Sequence, residues 1–249
     1  MPRARSKAKS NAAIRVQKAP GSPPADKTSR TGDAAAAARI IASEADLHAG
    51  VRALRRKCAA MRHVHDLTGL PPLRRRPAGF EGLARIIVGQ QLSVASASAI
   101  WERTVAACRP FEPGPLLALA DGALAEAGLS RPKIRTLRAI AGACRDGLDL
   151  ARLEHAHEAE VHAALTEVTG IGPWTADIYI MLCLGRADAW APGDLALQIA
   201  AQQALGLAER PGADEMTALA ERWRPWRGVA ARLLWAYYAA VKRRKAVPV

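Results

Sequence analysis

The sequence predicts an all-α protein, because apolar residues recur at helical spacing along most of the chain and strand-like alternation is scarce. Hydrophobic residues make up 50% of the 249-residue chain, which is enough to bury a core in one or two domains. No apolar run reaches the length of a membrane span, and the N-terminus lacks an apolar stretch suited to a signal peptide. We therefore expect a soluble, cytoplasmic protein with no membrane association.

Most of the positive charge lies at the two ends of the chain. Residues 1–30 carry eight lysines and arginines against one acid, and the run 242–245 adds four basic residues. The two ends hold +11 of the net charge of +13, so that residues 31–241 carry only about +2. Basic ends favour polyanions such as nucleic acid through counterion release, although a solubilising tail has the same composition. Residues 1–33 show little apolar periodicity, and we expect a disordered basic tail there.

Helical periodicity begins after this tail and is interrupted at recognisable points. Apolar residues from Ile40 to Cys58 recur every three to four positions and predict one or two amphipathic helices. A Pro-rich joint over residues 70–77 ends the pattern. Further helices are predicted over Gly79–Val88, Val94–Val105 and Leu116–Ala127, and after an N-cap at Ser130.

Two more predicted helices flank a very short joint, Gly170-Ile-Gly-Pro173. The glycines at 170 and 172 are expected to allow backbone angles that residues with a Cβ resist, and Pro173 fits the first turn of the second helix. Ile171 can act as an apolar plug that fixes the angle between the helices. The pattern predicts a helix–hairpin–helix.

A helix N-terminus with exposed N–H groups attracts a phosphate, but Gly-x-Gly alone is equally compatible with an αα-corner that binds nothing. Asp194 decides between the two interpretations. It lies 22 residues beyond Gly172, directly before an apolar stretch, where aspartate is typical of a helix N-cap. A carboxylate fixed in this way can also face whatever the hairpin binds.

Four segments in this order make the sequence similar to the helix-hairpin-helix DNA glycosylase superfamily, and more specifically to the 3-methyladenine DNA glycosylase II (alkylpurine glycosylase) family. The segments are Gly79–Ser93, Thr169–Ala176, Pro192–Asp194 and Glu221–Arg227. The resemblance implies a two-lobed helical domain over residues 34–249 with a cleft between the lobes. One lobe would comprise residues 34–79 and 189–249, and the other, which carries the hairpin, residues 80–188.

The resemblance also implies roles for single residues. Asp194 would be the catalytic carboxylate, and Trp174 and Trp226 would form the wall of the base pocket, although ordinary core packing is open for each tryptophan. The residues expected to contact DNA are Gln90, Gln91, Leu92, Lys133, Thr169, Gly170 and Gly172. The glutamine pair could instead cap a helix C-terminus, and Lys133 could be a solvated side chain.

The resemblance implies no required cofactor, but a monovalent cation, Na⁺ or K⁺, could bind the backbone carbonyls of Thr166, Val168 and Gly170. The four cysteines are too far apart in sequence for a metal knuckle or an iron–sulfur cluster, and we expect reduced thiols. None of the six histidines is assigned to a metal; His155 and His157 are expected to cap or flank a helix.

Trp174 restricts the reaction that the resemblance implies to base release without strand cleavage, that is, to a monofunctional glycosylase. Members that also cut the strand carry a lysine at this point as a Schiff-base nucleophile, and no lysine lies between Lys133 and Lys242. Some relatives have further aromatic residues where this chain has Ile178 and Leu195, which predicts a less aromatic pocket.

We therefore expect a monomeric, DNA-associated bacterial glycosylase of base excision repair. It would release alkylated purines, such as 3-methyladenine and 7-methylguanine, from double-stranded DNA containing damaged bases and leave an abasic site. Three alternatives remain open: a non-catalytic DNA-binding hairpin module, a glycosylase with a lyase step, and a glycosylase for another damaged or mismatched base.

Overall fold

A computed structural model of the protein describes residues 39–246, which belong to one compact unit. The predicted basic tail, residues 1–33, lies outside the described residues. Within them the fold is all-α, as predicted, and a single isolated bridge joins Ile40 to Arg186. The helices are α1 (Glu44–Lys57), α2 (Ala59–Thr68), α3 (Gly79–Gly89), α4 (Val94–Ala107), α5 (Pro113–Ala118), α6 (Asp121–Glu126), α7 (Arg131–Arg145), α8 (Leu150–His155), α9 (Glu158–Thr166), α10 (Pro173–Leu182), α11 (Leu195–Leu205), α12 (Ala213–Ala220) and α13 (Arg227–Ala246), with a 3-10 turn at Glu221–Trp223.

The first helix begins later than the apolar pattern suggests. Ser43 and Asp46 form a capping box, in which each side chain satisfies a backbone N–H of the other end of the turn. Ile41 is fully buried ahead of this cap, and its N–H donates to the carbonyl of Gly185. Ile41 therefore joins the core as extended chain instead of as part of the first turn of a helix, and Ile40 stays partly exposed.

The helix predicted over Leu116–Ala127 is divided into α5 and α6. Leu119 and Ala120 have extended backbone angles. The guanidinium of Arg138 on α7 donates to the carbonyls of Leu117 and Leu119 and pairs with Asp121. A tertiary contact thus satisfies the carbonyls at the end of α5, which a continuous helix would have bonded itself.

The packing of the described helices divides most of them into two groups. Helices α1, α2, α11 and α13 pack on one another, and α3 packs on α4, α7 and α10. The residue boundaries of the two lobes stay a prediction. In α13, Val229 and Leu233 are fully buried and face the core. None of the helices within residues 39–246 is long and apolar enough to cross a membrane.

Candidate active site

The joint between α9 and α10 forms the predicted hairpin. Gly170 has φ +90, a conformation that favours glycine, and a Cβ there would lie 2.2 Å from Oγ1 of Thr136 on α7. The plug role of Ile171 is confirmed, because only 5% of the residue is exposed. Gly170 is thus required both by its backbone angle and by the close approach of α7.

Gly172 plays a different part from the one predicted. Its φ is −94, which any residue adopts, so the expected need for an unusual backbone angle is wrong at this position. A Cβ at Gly172 would meet nothing within 4 Å. The N–H groups of Gly172 and Trp174 have no acceptor among the described residues. The start of α10 therefore presents exposed backbone donors beside an open surface.

Asp194 is the N-cap of α11, as predicted, and is only 8% exposed. Its Oδ1 accepts hydrogen bonds from the backbone N–H of Leu197 at 2.9 Å and from Nε1 of Trp235 at 3.1 Å. Its Oδ2 accepts from Nε1 of Trp174 at 2.8 Å. A carboxylate has about four acceptor positions, so three fixed donors hold its plane and leave about one position for water or substrate.

Trp174 connects the hairpin with the carboxylate. It stands on the first turn of α10, and its half-buried indole reaches Asp194 through the Nε1 hydrogen bond. The adjacent Thr175 accepts a hydrogen bond from Nε2 of Gln90 at 3.0 Å. The hairpin, the carboxylate and the loop after α3 are therefore joined by side chains on a single helical turn.

The structure does not bring Trp226 to Asp194, which corrects that part of the predicted pocket. Its ring packs against Gly50 of α1 and lies 4.6 Å below the guanidinium of Arg39. Trp235 contacts the carboxylate instead, nine residues further on. Nine residues are about two and a half helical turns, so the two side chains point in opposite directions. The spacing shows that these two tryptophans do not share a pocket, but it does not indicate which of them faces Asp194.

The loop after α3 is exposed, as a DNA-contacting segment should be. Gln91 has φ +57, and Leu92 is 38% exposed with Val94, at 86%, beyond it. The amide of Gln90 donates to Thr175, so it does not cap the carbonyls of α3. The contacts of this loop with DNA stay a prediction.

Lys133 has a structural role that the sequence did not indicate. Its Nζ donates to the carbonyls of Val88 and Gln90 at 2.8 and 2.9 Å, which uses two of its three donors. Burial lowers the pKa of Lys133. The side chain is therefore not freely solvated but fixes the end of α3 from which the exposed loop departs, and its contact with DNA stays a prediction.

The remaining predicted residues surround the hairpin. Thr169 is exposed, and the carbonyl of Val168 accepts the N–H of Ile171 at 3.0 Å. A cation at Thr166, Val168 and Gly170 stays a prediction.

His157 caps α9, as predicted, by accepting the N–H of Ala159. All four cysteines are free thiols, and burial raises the pKa of Cys183 to about 12.

Two helices are joined by Gly-x-Gly, and Trp174 on the second of them donates a hydrogen bond to Asp194, the N-cap of α11. This arrangement defines a helix-hairpin-helix protein of the DNA glycosylase type. Residues 84–225, more than half of the chain, match the HhH-GPD superfamily of base excision DNA repair proteins, and the chain belongs to this superfamily. The resemblance inferred from the four sequence segments is confirmed.

Individual relatives agree with this assignment. The chain is 27% identical to the alkylbase DNA glycosidase-like protein mag2 of Schizosaccharomyces pombe, over 64% of this chain and 77% of the relative. It spans only 58% and 41% of the length of further curated relatives from Bacillus subtilis and Mycobacterium tuberculosis.

Two solved structures are similar as well. The S. pombe 3-methyladenine DNA glycosylase Mag1 in complex with abasic DNA has a TM-score of 0.68 at 25% identity, covering 76% of this chain and 95% of that one. A DNA-3-methyladenine glycosidase of Bacillus halodurans has a TM-score of 0.66 at 32% identity, covering 79% and 91%.

Proposed function

We propose that this protein is a monofunctional DNA glycosylase of base excision repair that hydrolyses the N-glycosidic bond of alkylated purines in double-stranded DNA and leaves an abasic site. The observation that carries the proposal is the Asp194 carboxylate, held by three N–H donors, one of which belongs to the hairpin helix. The names of the relatives, 3-methyladenine and alkylbase glycosylases, support the substrate class.

The chemistry follows from the position of this carboxylate. The damaged nucleotide must leave the base stack, at a cost of a few kcal/mol that is smallest for damaged bases. Breaking the N-glycosidic bond then builds positive charge on the deoxyribose. Asp194 stabilises this charge without reorganising, because its three donors already fix it, and it can accept a proton from the attacking water.

The DNA would be held on both sides of this carboxylate. Thr169, Gly170 and Gly172 would present the exposed start of α10 to a backbone phosphate, assisted by a cation on the hairpin carbonyls. Gln91 and Leu92 would enter the space that the flipped nucleotide leaves. We propose that the protein acts on DNA as a cytoplasmic monomer.

Within residues 39–246, the start of α10 offers no lysine as the nucleophile of a lyase step. Trp174 occupies the position after the hairpin, and its indole N–H is committed to Asp194. The ammonium of Lys133 is bonded to two carbonyls, and that of Lys57 donates to the carbonyl of Arg224. We therefore expect base release without strand cleavage.

The proposal is tested by measuring base release from duplexes that contain single lesions, with wild type and Asp194→Asn side by side. Asparagine keeps the size of the side chain but removes the charge. Wild type should release an alkylated purine while the variant binds the same DNA and releases none. If both proteins bind the DNA equally and neither releases a base faster than the other, the protein is a non-catalytic DNA-binding module.

Borohydride trapping separates the monofunctional enzyme from a lyase. A Schiff base between a lysine and the abasic sugar is reduced to a stable covalent adduct. We expect no adduct with wild-type protein on a lesion-containing duplex. A trapped adduct that disappears in Lys133→Met would overturn the monofunctional assignment.

A further inference from the structure

Four arginines line a cavity of about 410 Å³ beside the exposed loop that follows α3. Arg74, Arg75 and Arg76 come from the Pro-rich joint before α3, and Arg85 comes from α3 itself. Leu92 of the exposed loop lines the same cavity. The volume lies in the range of ligand sites, and the concentration of positive charge favours an anion as the occupant.

The backbone that carries three of these arginines is fixed by the rest of the fold. Nε of Arg232 donates to the carbonyl of Leu73 at 3.0 Å, and the N–H of Arg76 donates to the carbonyl of Leu182 at 3.0 Å. Arg74, between these two anchors, has φ +51, an angle that is uncommon for a residue with a Cβ and persists where the surrounding structure enforces it. A fixed segment of the fold therefore presents the arginines to the cavity.

Aromatic rings hold two of the guanidinium groups as well. The guanidinium carbon of Arg74 lies 5.7 Å from the centre of the Trp235 ring, and that of Arg85 lies 5.8 Å from the centre of the Trp101 ring. A ring attracts the guanidinium through its charge and leaves most of its five N–H donors available. These two side chains are therefore positioned before a ligand arrives.

The positive charge of the cavity has no counterpart in the described residues. None of the four guanidinium groups forms an ion pair with a carboxylate between residues 39 and 246. Burial lowers the pKa of Arg76, and the charges of Arg85 and Arg74 lower it further. Burial, with the charges of Arg74 and Arg75, lowers the pKa of Arg232 to about 10. The guanidinium groups repel one another, and an anion that enters the cavity relieves this repulsion.

The rest of the lining matches the sugar–phosphate backbone of DNA. Guanidinium donors pair with the two non-bridging oxygens of a phosphodiester, and Ser98 adds a hydroxyl group to the lining. Leu92, Val94 and Ala97 supply apolar surface for the adjoining deoxyriboses. Leu92 and Val94 are exposed, so the cavity opens at the surface from which the loop projects, where a duplex can reach it.

The exposed loop connects this cavity with the hairpin. Nε2 of Gln90 donates to Oγ1 of Thr175 on α10, whereas Leu92 and Val94, two and four residues further on, line the cavity. The exposed N–H groups at the start of α10 and the arginines therefore lie at the two ends of one short loop.

We propose that the arginine-lined cavity binds a backbone phosphate of the DNA, distinct from the phosphate that the start of α10 would hold. The two phosphates anchor the DNA at both ends of the exposed loop, so that Leu92 is directed into the duplex between them. This inference rests on the proposed function, because it takes the DNA substrate as the ligand.

The test removes the charge of one phosphate at a time. Duplexes contain a central abasic-site analogue and a single uncharged methylphosphonate linkage, which is placed in turn at each phosphate around the lesion on both strands. The dissociation constant of each duplex is measured by fluorescence anisotropy and divided by that of the duplex without methylphosphonate. The ratio reports what each phosphate contributes to binding.

The proteins are wild type, Arg75→Gln, Arg85→Gln, Arg85→Lys and the control Arg52→Gln, which lies exposed on α1 and outside the cavity. The melting temperature of each protein shows whether it is folded. Arg75 is exposed, so its substitution keeps the test available if Arg85→Gln, which removes the contact with Trp101, destabilises the fold.

We expect wild type to lose about tenfold in affinity when the phosphate in the cavity is neutralised, because charge-assisted hydrogen bonds are lost. Arg75→Gln and Arg85→Gln should weaken binding of the unmodified duplex by a similar factor. In both variants neutralising that same phosphate should have no further effect, while the phosphate at the hairpin keeps its full effect. Arg85→Lys, which retains the charge, should recover part of the loss, and Arg52→Gln should match wild type.

Two outcomes overturn the inference. If the arginine variants retain the effect of every methylphosphonate position, the arginines act only through the general field of the protein or not at all. If inorganic phosphate raises the melting temperature of wild type but not of Arg85→Gln, and no DNA position depends on the arginines, the cavity binds a free anion instead.

Base release by wild type from a lesion-containing duplex is measured separately. Release without any arginine-dependent phosphate overturns the inference and leaves the proposed function intact. An arginine-dependent phosphate without release supports the inference and contradicts the proposed function.

Discussion

The surroundings of Asp194 and the cavity of about 410 Å³ lined by Arg74, Arg75, Arg76 and Arg85 hold their polar groups in opposite ways. Around Asp194 every donor that approaches the carboxylate is fixed, by a helix cap or by an indole ring. In the cavity, four guanidinium groups have no carboxylate partner within the described part of the chain. The carboxylate is already oriented without substrate, whereas the guanidinium charges of the cavity are not neutralised by any carboxylate within the described residues.

This difference assigns distinct tasks to the two regions. A group that must stabilise charge in a transition state acts best when the protein has already oriented it. Unpaired charges that repel one another gain most when a ligand of opposite sign enters. We therefore expect substitutions around Asp194 to change the rate of base release or the stability of the fold. Substitutions of the cavity arginines should change the binding of anionic groups instead.

The largest expected effect lies in the hairpin. Gly170→Ala should destabilise the fold by about 4 kcal/mol, because a Cβ meets Thr136 and the left-handed backbone angle adds strain. Gly172→Ala is the matched control and should keep the stability of wild type while weakening DNA binding. Thermal unfolding and binding to undamaged duplex measure both. Equal stability of the two variants contradicts the account, and Thr136→Ala should partly rescue Gly170→Ala.

The second effect concerns Asp177 on α10, a partly buried carboxylate outside the active site. Burial, together with the charge of Glu158, raises its pKa to about 7, and His162 lies 3.6 Å away. Because the folded-state pKa lies above the unfolded value, the native state loses stability as pH rises from about 4 to about 7. Asp177→Asn should thus be about 2 kcal/mol more stable than wild type at about pH 8 and nearly equal at about pH 4. A constant difference across this range contradicts it.

The third prediction separates the hydrogen bond that Trp235 donates to Asp194 from the packing of its ring. Trp235→Phe keeps an aromatic ring under Arg74 but removes the N–H that reaches Oδ1. We expect single-turnover release to fall about tenfold, since one charge-assisted hydrogen bond is lost. Trp226→Phe is the control and should leave the rate unchanged, because that ring packs on Gly50. If both variants lose rate equally, the assignment of Trp235 is wrong.

The ability to predict these features from sequence depended on how far apart the partners lie. The cap at Asp194 and the plug at Ile171 are local, and their neighbours within four residues indicated them. Trp235 meets Asp194 across 41 residues, and Lys133 meets Val88 across 45. No local pattern encodes such contacts, since helix packing brings them together. Gly170 was predicted for its backbone angle, but the approach of Thr136 required the fold.

The smallest expected effect lies at the exposed loop. Lys133→Met keeps the length of the side chain but removes both hydrogen bonds to the end of α3. Binding to lesion-containing DNA should weaken about threefold, which corresponds to about 0.7 kcal/mol, because the loop loses one anchor. The slope of binding against salt concentration should not change, because Nζ of Lys133 is bonded to two backbone carbonyls. A slope reduced by about one unit would contradict this expectation and support the contact between Lys133 and DNA that the sequence predicted.

The most direct measurement is single-turnover base release by Asp194→Asn over a range of protein concentrations, which separates the maximal rate from the dissociation constant. Asp214→Asn, on the exposed first turn of α12, serves as the control of equal charge change. The account predicts that Asp194→Asn lowers the maximal rate about 100-fold or more and leaves the dissociation constant unchanged, while Asp214→Asn matches wild type. An unchanged maximal rate, or a loss that appears only in the dissociation constant, would contradict the assignment of Asp194 to the chemical step.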